Sequence, residues 1–173
     1  MDKICNIKYV DAYYIYEKKI GKTQLSLFDA HGYVEEVANN IVIIFIKKRG
    51  IVNSEAISNK EAVIKGLVIP DTALMSTVEN YSTNILKNLK EDSTVEVIWR
   101  DIVYVANLPR YDCSVMYSEG SLFRIEKDHI VLKDPETIRT YPSPTKNHPG
   151  SGRPTYLIIP ISFITSIKLI INE

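Results

Sequence analysis

Two copies of one unit, each about ninety residues long, make up most of this 173-residue chain. The block Ile7-Lys-Tyr9-Val-Asp11 returns as Val97-Ile-Trp99-Arg-Asp101, so an apolar residue, an aromatic residue and an aspartate keep their spacing. Three further blocks return in the same order. The matched segments are 7–12 with 97–102, 31–37 with 119–125, 40–43 with 129–132, and 67–70 with 157–160. The offset stays between 88 and 90 residues throughout, which predicts two copies of one structural unit.

The composition of each copy is typical of β-strands. Val, Ile, Tyr and Trp dominate segments such as 95–105, and these residues fit a pleated, half-buried surface. The polar pairs Asn39-Asn40 and Lys127-Asp128 lie between apolar runs and predict tight hairpins. Gly32 and Gly120 are each expected to open a strand. Five strands in about 75 residues is the size of a small barrel or half-open barrel, so the chain is predicted to be all-β.

The segment between the copies has a helical spacing of apolar residues. Ile85, Leu86 and Leu89, with lysines late in the segment, predict a short linking helix over 81–92. One long amphipathic helix starting at Asp71 would also fit the spacing of the apolar residues. However, the segment contains several Ser and Thr residues, which are poor helix formers, and the equivalent segment of the second copy is predicted to be a strand. A strand to about Glu79 is therefore favoured. The predicted organisation is therefore a first barrel over 1–80, the linking helix, and a second barrel over 93–173.

The second copy resembles a known family of small barrels. The segments 120–125, 129–132 and 159–167 resemble the strand pattern of Sm-like proteins, and the Trp-x-Asp first strand and Ile-Pro last strand are similar to those of small bacteriophage and mobile-element proteins. The resemblance implies two tandem Sm-like or SH3-like five-stranded barrels that assemble into a homo-oligomer through edge strands. The RNA-binding motifs of Sm proteins, Asp-x-x-Met-Asn and a late Arg-Gly, are absent, so RNA recognition is not implied.

Composition and motif content exclude several classes of function. The chain has 21 basic and 21 acidic residues, and basic and acidic residues are equal in number in each half, so neither half has the positive field that steers proteins onto nucleic acid. The start at Met1 carries no apolar leader and no run is long enough to span a bilayer, so a cytoplasmic protein is expected, in a host cytoplasm if it is viral. Cys5 and Cys113 are expected to be free thiols.

No sequence pattern indicates catalysis or a metal site. The three histidines, His31, His129 and His148, are far apart and lack metal-ligand spacing. No nucleophile motif or phosphate-binding glycine loop occurs, and no base lies next to a Ser or Cys. We therefore expect no enzyme activity, no cofactor and no metal.

The loop from Tyr141 to Pro154 is the most distinctive segment. Its four prolines, Pro154 included, and two glycines are incompatible with a regular strand or helix. Lys146, His148 and Arg153 are candidate partners of an anion, and the backbone around Gly152 could form an anion-binding nest. Arg49 lies in a basic segment at the equivalent place of the first copy. The alternative is a solvated surface loop, although long loops in compact domains are often functional.

Asp11 and Asp101 lie at matching places in strands that are otherwise apolar and aromatic. Each carboxylate could accept a hydrogen bond from a ligand, or it could cap a turn or pair with an arginine and so stabilise the barrel. Trp99 and Tyr14 are candidates for stacking on a ring of the ligand, the alternative being packing in the core or between the copies.

Together these residues predict a non-enzymatic, oligomeric protein that binds a small anionic, nucleotide-like ligand. If the bacteriophage resemblance holds, the ligand would be a host defence signal that the protein sequesters. The alternative is an Sm-like RNA-binding or structural assembly module.

Overall fold

A computed structural model describes residues 4–37, 40–45, 66–74, 83–105, 113–141 and 152–171. These residues form strands and short 3-10 helices and contain no α-helix, which confirms the all-β prediction. The strands are β1 (Ile4–Asp11), β2 (Tyr13–Ile15), β3 (Ser26–Val37), β4 (Asn40–Phe45), β5 (Gly66–Pro70), β6 (Thr94–Asp101), β7 (Val103–Val105), β8 (Ser114–Ile125), β9 (His129–Tyr141), β10 (Tyr156–Pro160) and β11 (Ile164–Leu169). The 3-10 helices are Asp71–Ala73, Thr83–Leu86 and Ile161–Phe163.

The strands form two antiparallel sheets. The first has the order β1-β3-β4-β5-β7, and the second has the order β11-β6-β8-β9-β10-β2. The pairing of the described strands closes neither sheet into a barrel.

The sequence repeat is reproduced in the register of the sheets. Ile43 pairs with Leu67 in the first copy, and the equivalent residues Leu132 and Leu157 pair in the second. The isolated bridge between Tyr9 and Leu74 likewise has its counterpart in the pairing of Trp99 with Ile164. The members of these pairs are displaced by 89 or 90 residues, so equivalent residues of the two copies pair with each other's equivalents.

Each copy contributes a strand to the sheet of the other. The first strand of each copy is interrupted, at Ala12 in the first copy and at Ile102 in the second. Beyond these breaks β2 pairs with β10 of the second copy, and β7 pairs with β5 of the first. The N–H of Ile102 donates to Oδ1 of Asp101 at 2.9 Å, so it bonds to a side chain instead of a neighbouring strand at the break.

The two predicted hairpins form, but the glycines do not open strands. Val37 pairs with Asn40 at the first hairpin, and β8 and β9 meet at the turn that contains Lys127 and Asp128. Gly32 and Gly120 lie inside β3 and β8. A Cβ added to Gly120 would lie 3.0 Å from the backbone oxygen of Lys133, so this glycine permits a close approach of two backbones at an irregular point of the ladder.

The predicted linking helix is reduced to one 3-10 turn, Thr83–Leu86. Asn88 and Asp92 follow with φ angles of 76° and 66°, and these left-handed conformations end a helix. At the start of the alternative long helix, Leu74 has an extended backbone, so no helix continues through it. Residues 75–82, over which a strand to Glu79 was expected, lie outside the described residues.

The core is shared by the two copies. Val95, Val97 and Trp99 alternate along β6 toward one face, and they belong to the same buried cluster as Tyr9 and Val10 of β1. Cys5 and Cys113 are free thiols, as expected. Among the described residues no helix has the length and apolar character that crossing a bilayer would require.

Candidate functional site

The two matching aspartates end β1 and β6, at the points where the chain passes from one sheet to the other. Asp101 is partly buried, and it accepts the hydrogen bond from Ile102 described above. Burial first, and then the charge of Asp11, raise the pKa of Asp101 to about 8. Nη1 of the neighbouring Arg100 lies 3.9 Å from Oδ1 of Asp71, a residue of the first copy. The hydrogen bond from Ile102 agrees with one of the roles considered from sequence for Asp101, the capping of a turn.

Trp99 and Tyr14 lie at opposite ends of one chain of hydrogen bonds. Nε1 of Trp99 donates to Oγ of Ser118 at 3.1 Å, Ser118 lies 3.3 Å from Oγ1 of Thr137, and Thr137 lies 3.0 Å from the Tyr14 hydroxyl. Trp99 is 1% exposed. A ring without an exposed face cannot stack on a ligand, so the structure favours the packing alternative for Trp99.

Tyr14 is only partly buried, and its phenol faces the interior. Burial is the largest cause that raises the pKa of Tyr14, and the nearby charge of Asp101 acts in the same direction. The stacking role proposed for this ring stays a prediction.

Part of the predicted anion loop lies outside the described residues. Lys146, His148 and Arg49 belong to this undescribed part of the chain. Gly152 and Arg153 are described and exposed, and Arg153 lies 3.6 Å from Oε2 of Glu136. Because both side chains of this ion pair are about 70% exposed, the pair leaves the guanidinium open to a stronger anionic partner.

An open cleft of about 500 Å³ lies between the linker and the hairpin of the second copy. Leu86 and Ile125 give it an apolar floor, while Lys87, Glu126 and Lys127 supply its charged groups. Both lysines are exposed. Sequence analysis did not predict this cleft, because Lys87 and Lys127 are forty residues apart and each is an ordinary surface residue on its own element.

A second arrangement joins three side chains from the loop after β2 and the β8–β9 turn. Oγ1 of Thr23 lies 2.8 Å from Nε2 of His129, and Nδ1 of His129 lies 2.5 Å from Oδ1 of Asp128. Thr23 and His129 are buried, and Thr23 lines a cavity of about 290 Å³. The sequence carries no signal for this contact, since Thr23 and His129 are separated by 106 residues.

The described residues do not bring together a metal site. No group of three or more His, Cys, Asp or Glu side chains among them has a geometry that would hold a metal ion.

In comparisons with family models, curated proteins and solved structures, nothing matches this chain.

Proposed function

We propose that this protein binds a small anionic, nucleotide-like ligand. The cleft beside Lys87 and Lys127 is the observation that carries the proposal. It combines two exposed cations with an apolar floor at Leu86 and Ile125. Its volume of about 500 Å³ falls in the range of small-molecule sites, in which apolar walls hold a ring and a few polar groups orient it.

The charges of the cleft fit the two parts of such a ligand. The lysine ammonium groups are point charges that suit phosphate oxygens. The carboxylate of Glu126 can accept a hydrogen bond from a ribose hydroxyl or a base amino group. The backbone N–H of Glu126 donates to the carbonyl oxygen of His129 at 2.9 Å, so the turn that presents this charge is already held in place.

The loop from Tyr141 to Pro154 would provide a second contact for the anion. Arg153, Gly152, Lys146 and His148, with Arg49 from the first copy, would frame phosphate groups. Asp11 or Asp101 would accept a hydrogen bond from the ligand, and Tyr14 would stack on its ring.

We also propose a fold family for the two copies and a cellular location for the protein. We interpret each copy as an Sm-like barrel unit, which is supported by the order β11-β6-β8-β9-β10 and by the 3-10 helix Ile161–Phe163 before the last strand. The resemblance to bacteriophage proteins suits a protein that sequesters a host defence signal in the host cytoplasm.

Native mass spectrometry of the protein purified from cells is the first test. A nucleotide-sized mass that is released on denaturation supports the proposal. The purified chain is then titrated with AMP, ADP, a cyclic dinucleotide and inorganic phosphate while its melting temperature is recorded, because a ligand that binds only the folded state raises that temperature.

Variants locate the site. In the double variant Lys87→Gln with Lys127→Gln we expect the affinity to fall about 10- to 100-fold per lysine lost, as for charge-assisted hydrogen bonds. Lys168→Gln is the matched control. Lys168 is an exposed lysine of strand β11, and its Nζ lies 2.8 Å from Oε1 of Glu96. Arg153→Ala tests the loop. Binding that neither change weakens would contradict both assigned sites.

A structural assembly module is the second candidate function. Among the described strands, β11 is an edge of the six-stranded sheet, and it presents Leu169, which is 46% exposed, next to Ile171, which is 82% exposed. An unpaired edge with apolar side chains is a template for pairing with another chain. Homo-oligomerisation through this edge should be lost in Leu169→Glu, as measured by light scattering, whereas a monomeric wild type would remove this candidate.

Steep weakening of RNA binding by salt would identify the RNA-binding alternative.

A further inference from the structure

We propose that Thr23, His129 and Asp128 form an activated nucleophile that is acylated by small carboxylic esters. This inference concerns a different part of the molecule from the lysine cleft and does not depend on ligand binding there. It goes beyond the expectation from sequence, which was that no base lies next to a Ser or Cys, because the hydroxyl is that of Thr23 and its base comes from a segment 106 residues away.

The hydrogen bonds have the direction that a general base requires. A carboxylate can only accept, so Nδ1 of His129 donates to Asp128 and carries the proton of the neutral ring. Nε2 then has a free lone pair, and the Thr23 hydroxyl 2.8 Å away donates to it. Carboxylate, imidazole and hydroxyl in this order define the arrangement that activates a nucleophile, whatever the fold.

Burial favours the exchange of a proton between these two groups. His129 is 2% exposed and Thr23 is 8% exposed, so the bond between them is screened from water. The side chain of Asp128 is 45% exposed, which keeps its carboxylate hydrated and able to stabilise an imidazolium.

Thr23 borders a cavity in which a substrate can lie. The cavity holds about 290 Å³, enough for a short acyl chain and its ester group. Lys22 and Gln24 also line it and carry N–H donors for the oxygen of a tetrahedral intermediate.

The loop that carries Thr23 is held at two further points. The Tyr13 hydroxyl donates to the carbonyl oxygen of Gln24 at 2.7 Å, and Nη1 of Arg124 donates to the carbonyl oxygen of Gly21 at 2.6 Å. These bonds flank Thr23 on both sides, so the hydroxyl is positioned before a substrate arrives.

The proposed step conserves atoms and charge. Oγ1 of Thr23 bonds to the carbonyl carbon of the ester while its proton passes to Nε2 of His129. The bond from carbon to the alcohol oxygen then breaks, and the alcohol leaves with that proton, so that Thr23 is acylated. Water then repeats the sequence: its oxygen bonds to the acyl carbon while one of its protons passes to Nε2. The bond from that carbon to Oγ1 breaks, Oγ1 takes the proton from Nε2, and the carboxylic acid and free Thr23 are released.

Only one copy of the repeat carries this chemistry. At the offset of 89 residues, Asn39 and Asn40 occupy the places of Asp128 and His129. An asparagine pair can make hydrogen bonds and hold a turn, but it has no imidazole and cannot act as the base. The two copies therefore differ at Asp128 and His129, the residues that supply the carboxylate and the imidazole.

The test uses the full-length protein and a fluorophosphonate probe, which forms a stable adduct with activated hydroxyl groups. Intact-mass and peptide mass spectrometry measure the rate and position of labelling. We expect one adduct at residue 23 in the wild type and in Thr23→Ser, and none in Thr23→Val. Thr165→Val is the control, since Thr165 is exposed and its hydroxyl donates to the carbonyl oxygen of Ile98 at 3.0 Å.

Asp128→Asn separates a chemical role from a structural one. It keeps a hydrogen-bonding group beside Nδ1 but removes the carboxylate that holds the ring in the required tautomer. We expect labelling to slow by about 100-fold or more, as for the loss of a general base, with circular dichroism and melting temperature unchanged. His129→Gln should have the same effect where the variant folds. Absence of an adduct at Thr23, or labelling at the wild-type rate in folded Asp128→Asn, would overturn the proposal and leave the three residues as a structural clamp on the loop.

Discussion

Asp11 and Asp101 occupy equivalent positions at the ends of the first strands of the two copies, and the charge of Asp11 adds to burial in raising the pKa of Asp101 to about 8. The chain changes sheets just beyond both residues. The exchange of strands therefore begins after the same position in both copies, and the two carboxyl groups there are close enough to repel each other.

Replacement of Asp101 by asparagine should stabilise the protein increasingly as the pH rises. The pKa of Asp101 is about 8 in the folded protein and 3.8 without the fold, so the folded state binds the extra proton between these values. The contribution of Asp101 to the free energy of unfolding of the wild type therefore falls as the pH rises from about 4 to 8, by at most roughly 6 kcal/mol. The introduced asparagine cannot ionise, yet its side-chain oxygen still accepts from Ile102. Denaturant unfolding at pH 5 and pH 8 measures the difference.

Asp11→Asn is the matched variant for that experiment. It removes the repulsion and leaves Asp101 buried, so we expect a smaller gain than in Asp101→Asn. An equal effect of pH on the wild type and on Asp101→Asn would show that the Asp101 carboxyl is not the group that titrates.

Gly120→Ala should destabilise the second sheet by about 1–3 kcal/mol, as overpacking does. The new Cβ would lie 3.0 Å from the Lys133 backbone oxygen and 3.3 Å from Cβ of Leu132, and paired backbone cannot move aside cheaply. Gly21→Ala is the control, because nothing lies within 4 Å of its added Cβ. Thermal unfolding that ranks the two variants equally would contradict the close approach at Gly120.

Trp99, the single tryptophan of the chain, reports on the core of both copies. At 1% exposure its fluorescence should be blue-shifted and resistant to acrylamide, and a bound nucleotide should not quench it by stacking. Trp99→Phe removes the bond to Ser118 and part of the buried volume, so we expect a loss of about 2 kcal/mol in stability. Strong acrylamide quenching in the native state would return Trp99 to the candidates for ligand stacking.

Ser162→Ala should be neutral or slightly stabilising. The Ser162 hydroxyl is buried in the 3-10 helix before β11 and has no hydrogen-bond partner among the described residues; Thr72, its equivalent in the first copy, shares this property. Removal of an unsatisfied buried hydroxyl relieves its desolvation cost, typically about 1 kcal/mol. A clear loss of stability in urea unfolding would reveal a partner, such as an enclosed water molecule, that bridges the hydroxyl.

The two copies should unfold in a single transition. Ile158 of β10 pairs with Tyr13 from the first copy and is fully buried, so Ile158→Ala should lower the stability of the whole molecule by about 2–5 kcal/mol. Circular dichroism and Trp99 fluorescence should shift together. Ile171→Ala, at a side chain that is 82% exposed, is the control and should change little. Two separate transitions would indicate copies that fold independently.

The repeat, the β-strands, the hairpin after Ile125 and the free cysteines were all accessible from sequence. Each depends on local composition, on spacing along one strand, or on comparison of one copy with the other. The expectation that Gly120 opens a strand was wrong, because this glycine lies inside β8 where the backbone of Lys133 on β9 comes close, and no pattern along one strand indicates such a contact. The helix over 81–92 was also predicted from spacing alone, and the left-handed residues Asn88 and Asp92 end it after one turn.

What the sequence by itself determined is therefore the kind of unit and its repetition: an all-β unit that occurs twice, because side-chain periodicity and turn residues act over a few positions. Only the tertiary structure decided which residues meet. The exchange of β2 and β7, the charge of Asp11 near Asp101, the lysines beside Leu86 and the contact of Thr23 with His129 all join distant segments. Such contacts arise when the faces of two sheets pack into one core, and no local pattern records which side chains that packing brings together.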